Sequence, residues 1–353
     1  MALRELLTCT QTLQKLQMKG SEKDASFDEV EIATIASGFA HNTTLRDLEL
    51  ESCREAYLVP VLTALQRHPA LRKICFRAKF VDYLPGLSGL EVLLRSQDSK
   101  VKELVIDEVD TCTVGLHPVM RELGRNTTLT SLSIRRSTLS RENVQQLQAV
   151  LRQNTALQHL SLRGNGLMSV GLAEIAPALY RNTSIKSLDL GSNCLDDILS
   201  ANVLRELIRR NRTITSLCLD QNGFGGNADA DAARSIFEGL RSSTALQQLD
   251  LRECKLDDQD MSLLANALAI RNTSMVELRL NNNEITSVGV RALVEDNVEA
   301  VKTLTKLCLT HNPVGSEGAS ILADAMWCSV MPNIKEVNLG WCGIDDAGMR
   351  ALV

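Results

Sequence analysis

Residues 185–193 read IKSLDLGSN, and the spacing of their apolar positions decides the fold. Ile185, Leu188 and Leu190 follow L-x-x-L-x-L, in which x-L-x-L-x has the two-residue period of a strand with one buried face. Asn193 closes the stretch. The same pattern recurs as LRDLELESC (45–53), LRKICFRAK (71–79), VKELVIDEV (101–109), LTSLSIRRS (129–137) and LQHLSLRGN (157–165). Beyond residue 193 it continues as ITSLCLDQN (214–222), LQQLDLREC (246–254), MVELRLNNN (275–283), LTKLCLTHN (304–312) and IKEVNLGWC (334–342). LQKLQM at 13–18 is a degenerate further copy. Successive copies start 26 to 32 residues apart. An interval held that closely over eleven copies is the signature of a repeat array, not of separate domains.

Each copy carries a helical pattern behind its strand. In GLMSVGLAEIAPALYRN (166–182), Leu167, Ile175, Ala176 and Leu179 fall at helical spacing, with Gly171 near the helix start. Ile285, Gly289 and Leu293 repeat this arrangement, as do Val314, Gly318 and Leu322. One period is therefore strand, turn, helix, turn. No single period can bury its own aliphatic face, but stacked periods share a continuous core. Each leucine so buried contributes about 1.5–3 kcal/mol.

This grammar resembles the leucine-rich repeat family, in the ribonuclease-inhibitor-like class found also in NOD-like receptors and Ran GTPase-activating proteins. The resemblance covers essentially the whole chain. It implies an α/β solenoid shaped as a horseshoe, with parallel strands on the concave face and helices on the convex face. The expected organisation is one array over 1–353, with a degenerate first repeat (1–44) and irregular repeats around 71–128.

The position closing each strand forms a column. Asn165, Asn193, Asn222, Asn283 and Asn312 are expected to turn inward and satisfy the backbone of neighbouring turns. Cys53, Cys254 and Cys342 share the column, where a small, weakly hydrogen-bonding thiol fits. Lys79, Val109 and Ser137 interrupt it, and together with LPGLSGL (84–90) they predict the least regular region. Asn42, Asn126, Asn182, Asn211 and Asn272 each open an N-x-[ST] triplet. All keep repeat phase just before a strand, which a helix-to-strand turn requires and a glycan acceptor does not. Left-handed asparagine at the helix end is the expected conformation.

Composition narrows the function. The chain has 353 residues, 44% hydrophobic but only 3% aromatic, with net charge −5 and both signs interspersed. No basic field suits a nucleic acid, and no apolar run approaches a membrane span. MALRELLTCTQTLQKL (1–16) lacks the apolar core of a signal peptide. The ten cysteines show no zinc spacing, as befits thiols in a reducing, intracellular setting. Nothing in the composition argues against a cytoskeletal or ciliary setting within the cell.

Candidate chemistry is sparse. NGFGGNADAD (222–231) sets Asn227, Asp229, Asp231 and Glu238 on a calcium-loop spacing, but Ala232 replaces the glycine such a loop needs. Acids capping a helix account for that run. The resemblance to Ran GTPase-activating proteins touches LDQNGFGG at Asn222. No catalytic-arginine motif stands in an early repeat, and no acidic tail follows. The histidines are dispersed, with His159 and His311 projecting from the strand face. Cys75, Cys218 and Cys308 project there too. No catalytic residue, metal or cofactor is expected.

The strand face carries the functional expectation. Residues beside the core leucines point away from the core. Asp47, Glu49, Glu51, Glu103, Asp107 and Glu108 form an acidic beginning, interrupted by Lys73 and Arg77. Arg135, Arg136 and Arg163 form a basic patch. Asp189, Asp220, Asp250 and Glu253 form a second acidic stripe beside Arg252 and Arg279, and Trp341 projects near the last strand. Zoned charge with exposed arginine and tryptophan suits protein recognition. The expected role is a non-enzymatic scaffold or sensor surface for protein partners. The alternatives are a Ran-type GTPase-activating protein and the sensing arm of a NOD-like receptor. Neither end reads as a polar cap, so the chain is expected to be part of a larger protein or assembly.

Overall fold

The computed structural model describes residues 2–10, 12–19, 29–53, 55–77, 88–109, 116–226, 230–271 and 274–351. Two compact units, Met1–Asn165 and Gly166–Val353, each consist of successive strand–helix periods. Lys79, Asn227, Asp229 and Asn272 lie outside the described residues.

In the first unit, β1 (Lys15–Lys19), β2 (Asp47–Glu51), β3 (Lys73–Arg77), β4 (Glu103–Asp107), β5 (Ser131–Arg135) and β6 (His159–Ser161) pair in parallel and in chain order. The pairing is in register. Leu48, Ile74, Leu104 and Leu132 face one another rung by rung, and all four are buried. Helices such as His117–Arg125 and Arg141–Gln153 run between the strands and close the core with Leu123 and Leu147.

The second unit repeats the plan. Its strands are β7 (Ser187–Asp189), β8 (Ser216–Cys218), β9 (Gln248–Asp250), β10 (Glu277–Arg279), β11 (Lys306–Cys308) and β12 (Glu336–Asn338), again parallel and in order. The helix Met168–Arg181 buries Ile175, Ala176 and Leu179, as their spacing predicts.

Three sets of polar groups tie one period to the next. The first is the column closing each strand. Asn283 donates through Nδ2 to the carbonyls of Leu251 (2.9 Å) and Leu280 (2.8 Å). Its Oδ1 accepts from the amides of Cys254 (3.0 Å) and Leu256 (3.1 Å). Asn165, Asn193, Asn222 and Asn312 make equivalent bonds. Where cysteine stands, the thiol reaches the same carbonyls, as Cys342 does to Leu309 (3.1 Å) and Cys254 to Leu219 (3.4 Å). Cys53 is further from its partners, at 3.6 Å from Glu51 and 3.8 Å from Met18. Ser137 keeps the bonding although it departs from the pattern: Oγ donates to Arg135 (2.6 Å) and accepts from the Val109 amide (3.3 Å).

The second set lies at the opposite end of each strand. Asn126 and Asn211 cap the start of the next strand: Oδ1 accepts from Leu129 (2.7 Å) and Ile214 (2.8 Å), while Nδ2 donates to the preceding period at Leu94 (2.6 Å) and Leu179 (2.7 Å). Asn42, Asn154 and Asn182 take the same position, and His68 substitutes, its Nδ1 accepting from Leu71 (3.0 Å). The expectation of left-handed asparagine is corrected here. Asn126, Asn182 and Asn211 are extended, with φ near −70° and ψ 132–135°. The residue type is set by what the amide bonds, not by its φ. Because all three are buried, their triplets are turns and not glycan sites.

The third set is a column of left-handed residues immediately past the strands. Ser52, Glu108, Arg136, Ser192, Gln221, Glu253, Asn282, His311 and Trp341 all have φ between 50° and 59°. Each costs about 1–2 kcal/mol in backbone strain. In return, the amides of the first eight bond the next period's carbonyl at 2.7–3.0 Å, for example Asn282 to Thr310 and His311 to Gly340.

Candidate partner-binding faces

The sheet surface facing away from the helices is built from three side-chain columns, at the first, third and fifth strand positions. In-register pairing places residues about 30 apart in sequence one strand spacing apart in space. Charges that read as separate zones along the chain therefore meet across neighbouring rungs.

In the first unit the meeting point is Asp107, fully buried at the end of β4. Arg136 holds it with two bonds, Nε to Oδ1 at 3.0 Å and Nη2 to Oδ2 at 2.6 Å. Arg77 donates to the same Oδ2 (3.2 Å) and, with its other nitrogen, to Glu49 (3.0 Å). Arg135 approaches to 3.8 Å, and Arg136 also pairs with Glu108 at 3.2 Å. Burial alone would raise the Asp107 carboxyl. The hydrogen bonds from Arg136 and Arg77, aided by the charge of Arg135, outweigh it and hold the group below the usual carboxylate range. The acidic beginning is thus neutralised rung by rung, with Lys73 on Glu103 (2.6 Å) and Lys19 on Glu51 (3.0 Å).

The basic patch changes character accordingly. Arg136 lies on the left-handed turn, not on the strand, and its guanidinium is committed to Asp107 and Glu108. Arg135 remains on the open face, half-exposed, and its buried Nε has no hydrogen-bond acceptor among the described residues. Arg163 occupies the equivalent position one rung on; the hydrogen bond to Asp107 raises the Arg136 pKa, and repulsion from Arg163 opposes that only in small part.

The second unit uses the same device. Asp189, Cys218, Asp250 and Arg279 follow one another in the third column. Asp250, mostly buried, accepts from Arg252 Nε at 2.8 and 3.0 Å. Arg279 lies 3.7 Å from Asp250 and bonds Glu277 at 2.7 Å. Arg252 also comes within 3.8 Å of Asp220. Its pKa is raised, chiefly by the hydrogen bond to Asp250. The acids are sunk and the arginines stand over them.

Cys218 donates its thiol to Asp220 at 2.9 Å. Asp189, Cys218 and Asp220 bring three ligand-type atoms within 4.8 Å of one another. Burial, then the Asp220 hydrogen bond, pushes the Cys218 thiol well up, so it stays protonated at neutral pH. Cys75 and Cys308 are buried, and burial raises both thiols. None of the three is an accessible nucleophile.

Trp341 and His311 also sit on the left-handed turns, not on the strands. Their rings stack with centroids 5.7 Å apart and planes 7° from parallel, and Trp341 is 83% exposed. Earlier in the same column of turns, Gln221 joins Ser192 to Glu253. This edge was not legible in the sequence, because no residue type marks it: serine, glutamine, glutamate, histidine and tryptophan all occupy it. Asn222 is buried, and its amide is consumed by Leu190, Leu219, Asn193 and Leu195. It is not presented to a partner. No helix among the described residues is long and apolar enough to cross a membrane.

Comparison with known proteins agrees with this architecture. The family described as Leucine Rich repeat matches residues 153–176, 181–198, 271–294, 302–323 and 330–353. The human NACHT, LRR and PYD domains-containing protein 5 is 32% identical over 116 residues, 32% of this chain and 9% of that protein. The pig ribonuclease inhibitor is 30% identical over 146 residues, 41% of this chain and 30% of the inhibitor. The mouse NACHT, LRR and PYD domains-containing protein 14 is 27% identical over 316 residues, 88% of this chain and 31% of that protein. The chain thus spans less than a third of the length of each. Among solved structures, a chain from the yeast Rad7 and Elc1 complex aligns with TM-score 0.53 at 16% identity, covering 97% of this chain and 80% of that one. That likeness concerns the fold alone. The matched stretches are leucine-rich repeats, a protein-interaction module, and the chain is similar to the ribonuclease-inhibitor-like class of them.

Proposed function

We propose that this chain is a non-enzymatic scaffold or sensor surface that docks protein partners on the open sheet face of each unit. The observation carrying the reading is the repeated device of buried aspartate beneath arginine: Asp107 under Arg135 and Arg136, and Asp250 under Arg252 and Arg279. A carboxylate that fixes a guanidinium lowers the ordering cost when a partner binds it. Arginine on a rigid sheet also fits acceptor-rich partners, and Trp341 adds an aromatic anchor. Asp189 and Asp220 lie beside the second cluster and set its orientation preference.

The test is capture from native lysate with the immobilised chain, followed by mass spectrometry. It is repeated with Arg135→Glu/Arg163→Glu and with Arg279→Glu/Trp341→Ala. Arg136 and Arg252 are left unchanged, because their loss would uncover Asp107 and Asp250. The proposal expects captured proteins to be lost with one or both pairs while circular dichroism is unchanged. Undiminished capture by both pairs would move the site to the helices or the edge turns.

A second reading, the sensing arm of a NOD-like receptor, is supported by the long alignment with the mouse NACHT, LRR and PYD protein. A nucleotide-binding domain encoded upstream in the gene would decide for it. GTPase activation loses its main support, since the Asn222 amide is engaged inside the repeat. Unchanged turnover of a Ran-type GTPase in the presence of the chain would close that alternative.

A further inference from the structure

Just before each strand, one backbone position is locked in register from period to period. In the first unit it holds Gln14, Arg46, Arg72, Lys102 and Thr130 in succession. The Arg46 amide donates to the Gln14 carbonyl, Arg72 to Arg46 and Lys102 to Arg72, each at 2.8 Å, and Thr130 to Lys102 at 2.9 Å. Three cations therefore stand on consecutive rungs, about 4.8 Å apart along the sheet. All three side chains are exposed. Gln14 and Thr130 flank them, so the row lies between covered rungs.

Like charges opposite one another across a sheet are destabilising, and no acid offsets these. Asp47 and Glu103, their neighbours in sequence, point to the opposite face because side chains alternate along a strand. Glu103 is in any case taken by Lys73. Arg72 donates through Nη1 to the carbonyls of Pro69 (3.2 Å) and Leu71 (3.1 Å), and Lys102 through Nζ to that of Thr128 (3.0 Å). These bonds hold the groups in place without neutralising them. Among the described residues no carboxylate pairs with Arg46, Arg72 or Lys102. The helix dipole accounts for Arg95 and Arg125, which end their helices. It does not account for the row, which lies past the capping side chains of Asn42 and His68, on the strand side. Exposed Lys100 adds a further charge, and Arg125 lines an open cavity of about 410 Å³ beside Gln97. Thr127 bonds Gln97 at 2.9 Å, next to the Thr128 carbonyl that holds Lys102.

We infer that this row is a docking surface for a run of carboxylates in a protein partner, separate from the open sheet face. Guanidinium groups bind carboxylates through two parallel hydrogen bonds. An extended peptide brings a side chain to one face about every 6.8 Å, a spacing that long cationic side chains on successive rungs can meet. The turns 42–46, 68–72 and 98–102 carry no exposed aromatic ring on which a base could stack. Their large apolar residues, Leu45, Leu71 and Val101, are buried, which leaves nothing to enter a bilayer.

The experiment is fluorescence anisotropy of a labelled oligoglutamate peptide titrated with the purified chain at low salt. Binding is expected, and it is expected to fall as salt is added. Arg46→Gln/Arg72→Gln/Lys102→Gln is expected to weaken it about tenfold, the sum of three exposed ion pairs. Arg135→Glu/Arg163→Glu is expected to leave it unchanged, so this inference and the open-face reading fail separately. The triple variant is also expected to melt no lower than the parent, because it removes repulsion between rungs. A lower melting temperature would assign the row to the fold and overturn the inference. So would absence of peptide binding, equal binding by the triple variant, or tighter binding of a single-stranded oligonucleotide or of phosphatidylserine vesicles in the same titration.

Discussion

At the residue scale, what matters is how many neighbouring groups one amide or carboxylate satisfies. Asn283 bonds two carbonyls and two amides, all from buried backbone. Asn283→Ala strands those groups at about 1–3 kcal/mol each where water cannot reach them, so a loss of about 3 kcal/mol or more is expected. Asn283→Cys is expected to cost about half as much, because a thiol at this column still reaches the carbonyls, as in Cys342, but accepts poorly. Urea titration of the two variants checks the order. Asp107 answers to pH instead. Its folded carboxyl is held below the usual value, so its contribution is fully present above about pH 4 and is lost as pH falls through the depressed value. Asp107→Asn is expected to cost about 1–3 kcal/mol at neutral pH and to flatten the acid limb of the stability profile. An acid limb identical to that of the parent would show that Asp107 is not the titrating group.

At the element scale, the close fit between successive helices is tested at Gly289. A Cβ there would lie 2.6 Å from Asp258 Oδ1, 3.0 Å from Ile285 Cγ2 and 3.2 Å from Met261 Cβ. The Asp258 carboxylate already bonds the Gly289 and Thr286 amides and the Thr286 hydroxyl, so it cannot withdraw without losing all three. Alanine normally gains about 1 kcal/mol over glycine in a helix. Here overpacking of about 1–3 kcal/mol and the loosened cap outweigh that gain, and Gly289→Ala is expected to lower the melting temperature. A higher melting temperature would mean the helices part without penalty. The strands, helices and their order were legible because leucine spacing is dictated by burial, as at Leu188, Leu190 and Leu179. The Asn193 column was legible for the same reason. Two bonding systems were legible only in part or not at all. The helix-to-strand ladder is satisfied by Asn154 and His68 as well as by Asn-x-Thr, so its sequence signal is diffuse. Pairing of Asp107 with Arg77 and Arg136 depends on register across rungs, which no local window contains.

At the scale of the whole molecule, the distribution of thiols gives one readout of how completely the repeats pack. Cys9, Cys194 and Cys328 are exposed and Cys218 is half-buried, while Cys53, Cys75, Cys254, Cys308 and Cys342 are buried; all are free. Burial raises Cys75, Cys308 and Cys342, and pushes Cys254 up to about 12. Only a thiolate attacks a disulfide reagent, so a raised pKa and lack of access act in the same direction. Titration of the native chain with an aromatic disulfide near pH 8 is therefore expected to show three fast thiols and a much slower fourth. Cys112, outside the described residues, adds at most one. At pH 9 Cys75, Cys254, Cys308 and Cys342 remain covered, and burial raises their thiols, so they do not join the fast set. Denaturant releases the rest together with the loss of helical circular dichroism. Five or more further thiols reacting at the fast rate without denaturant would mean that the asparagine–cysteine column opens in the native state, and that the rungs are held less firmly than their hydrogen bonds require.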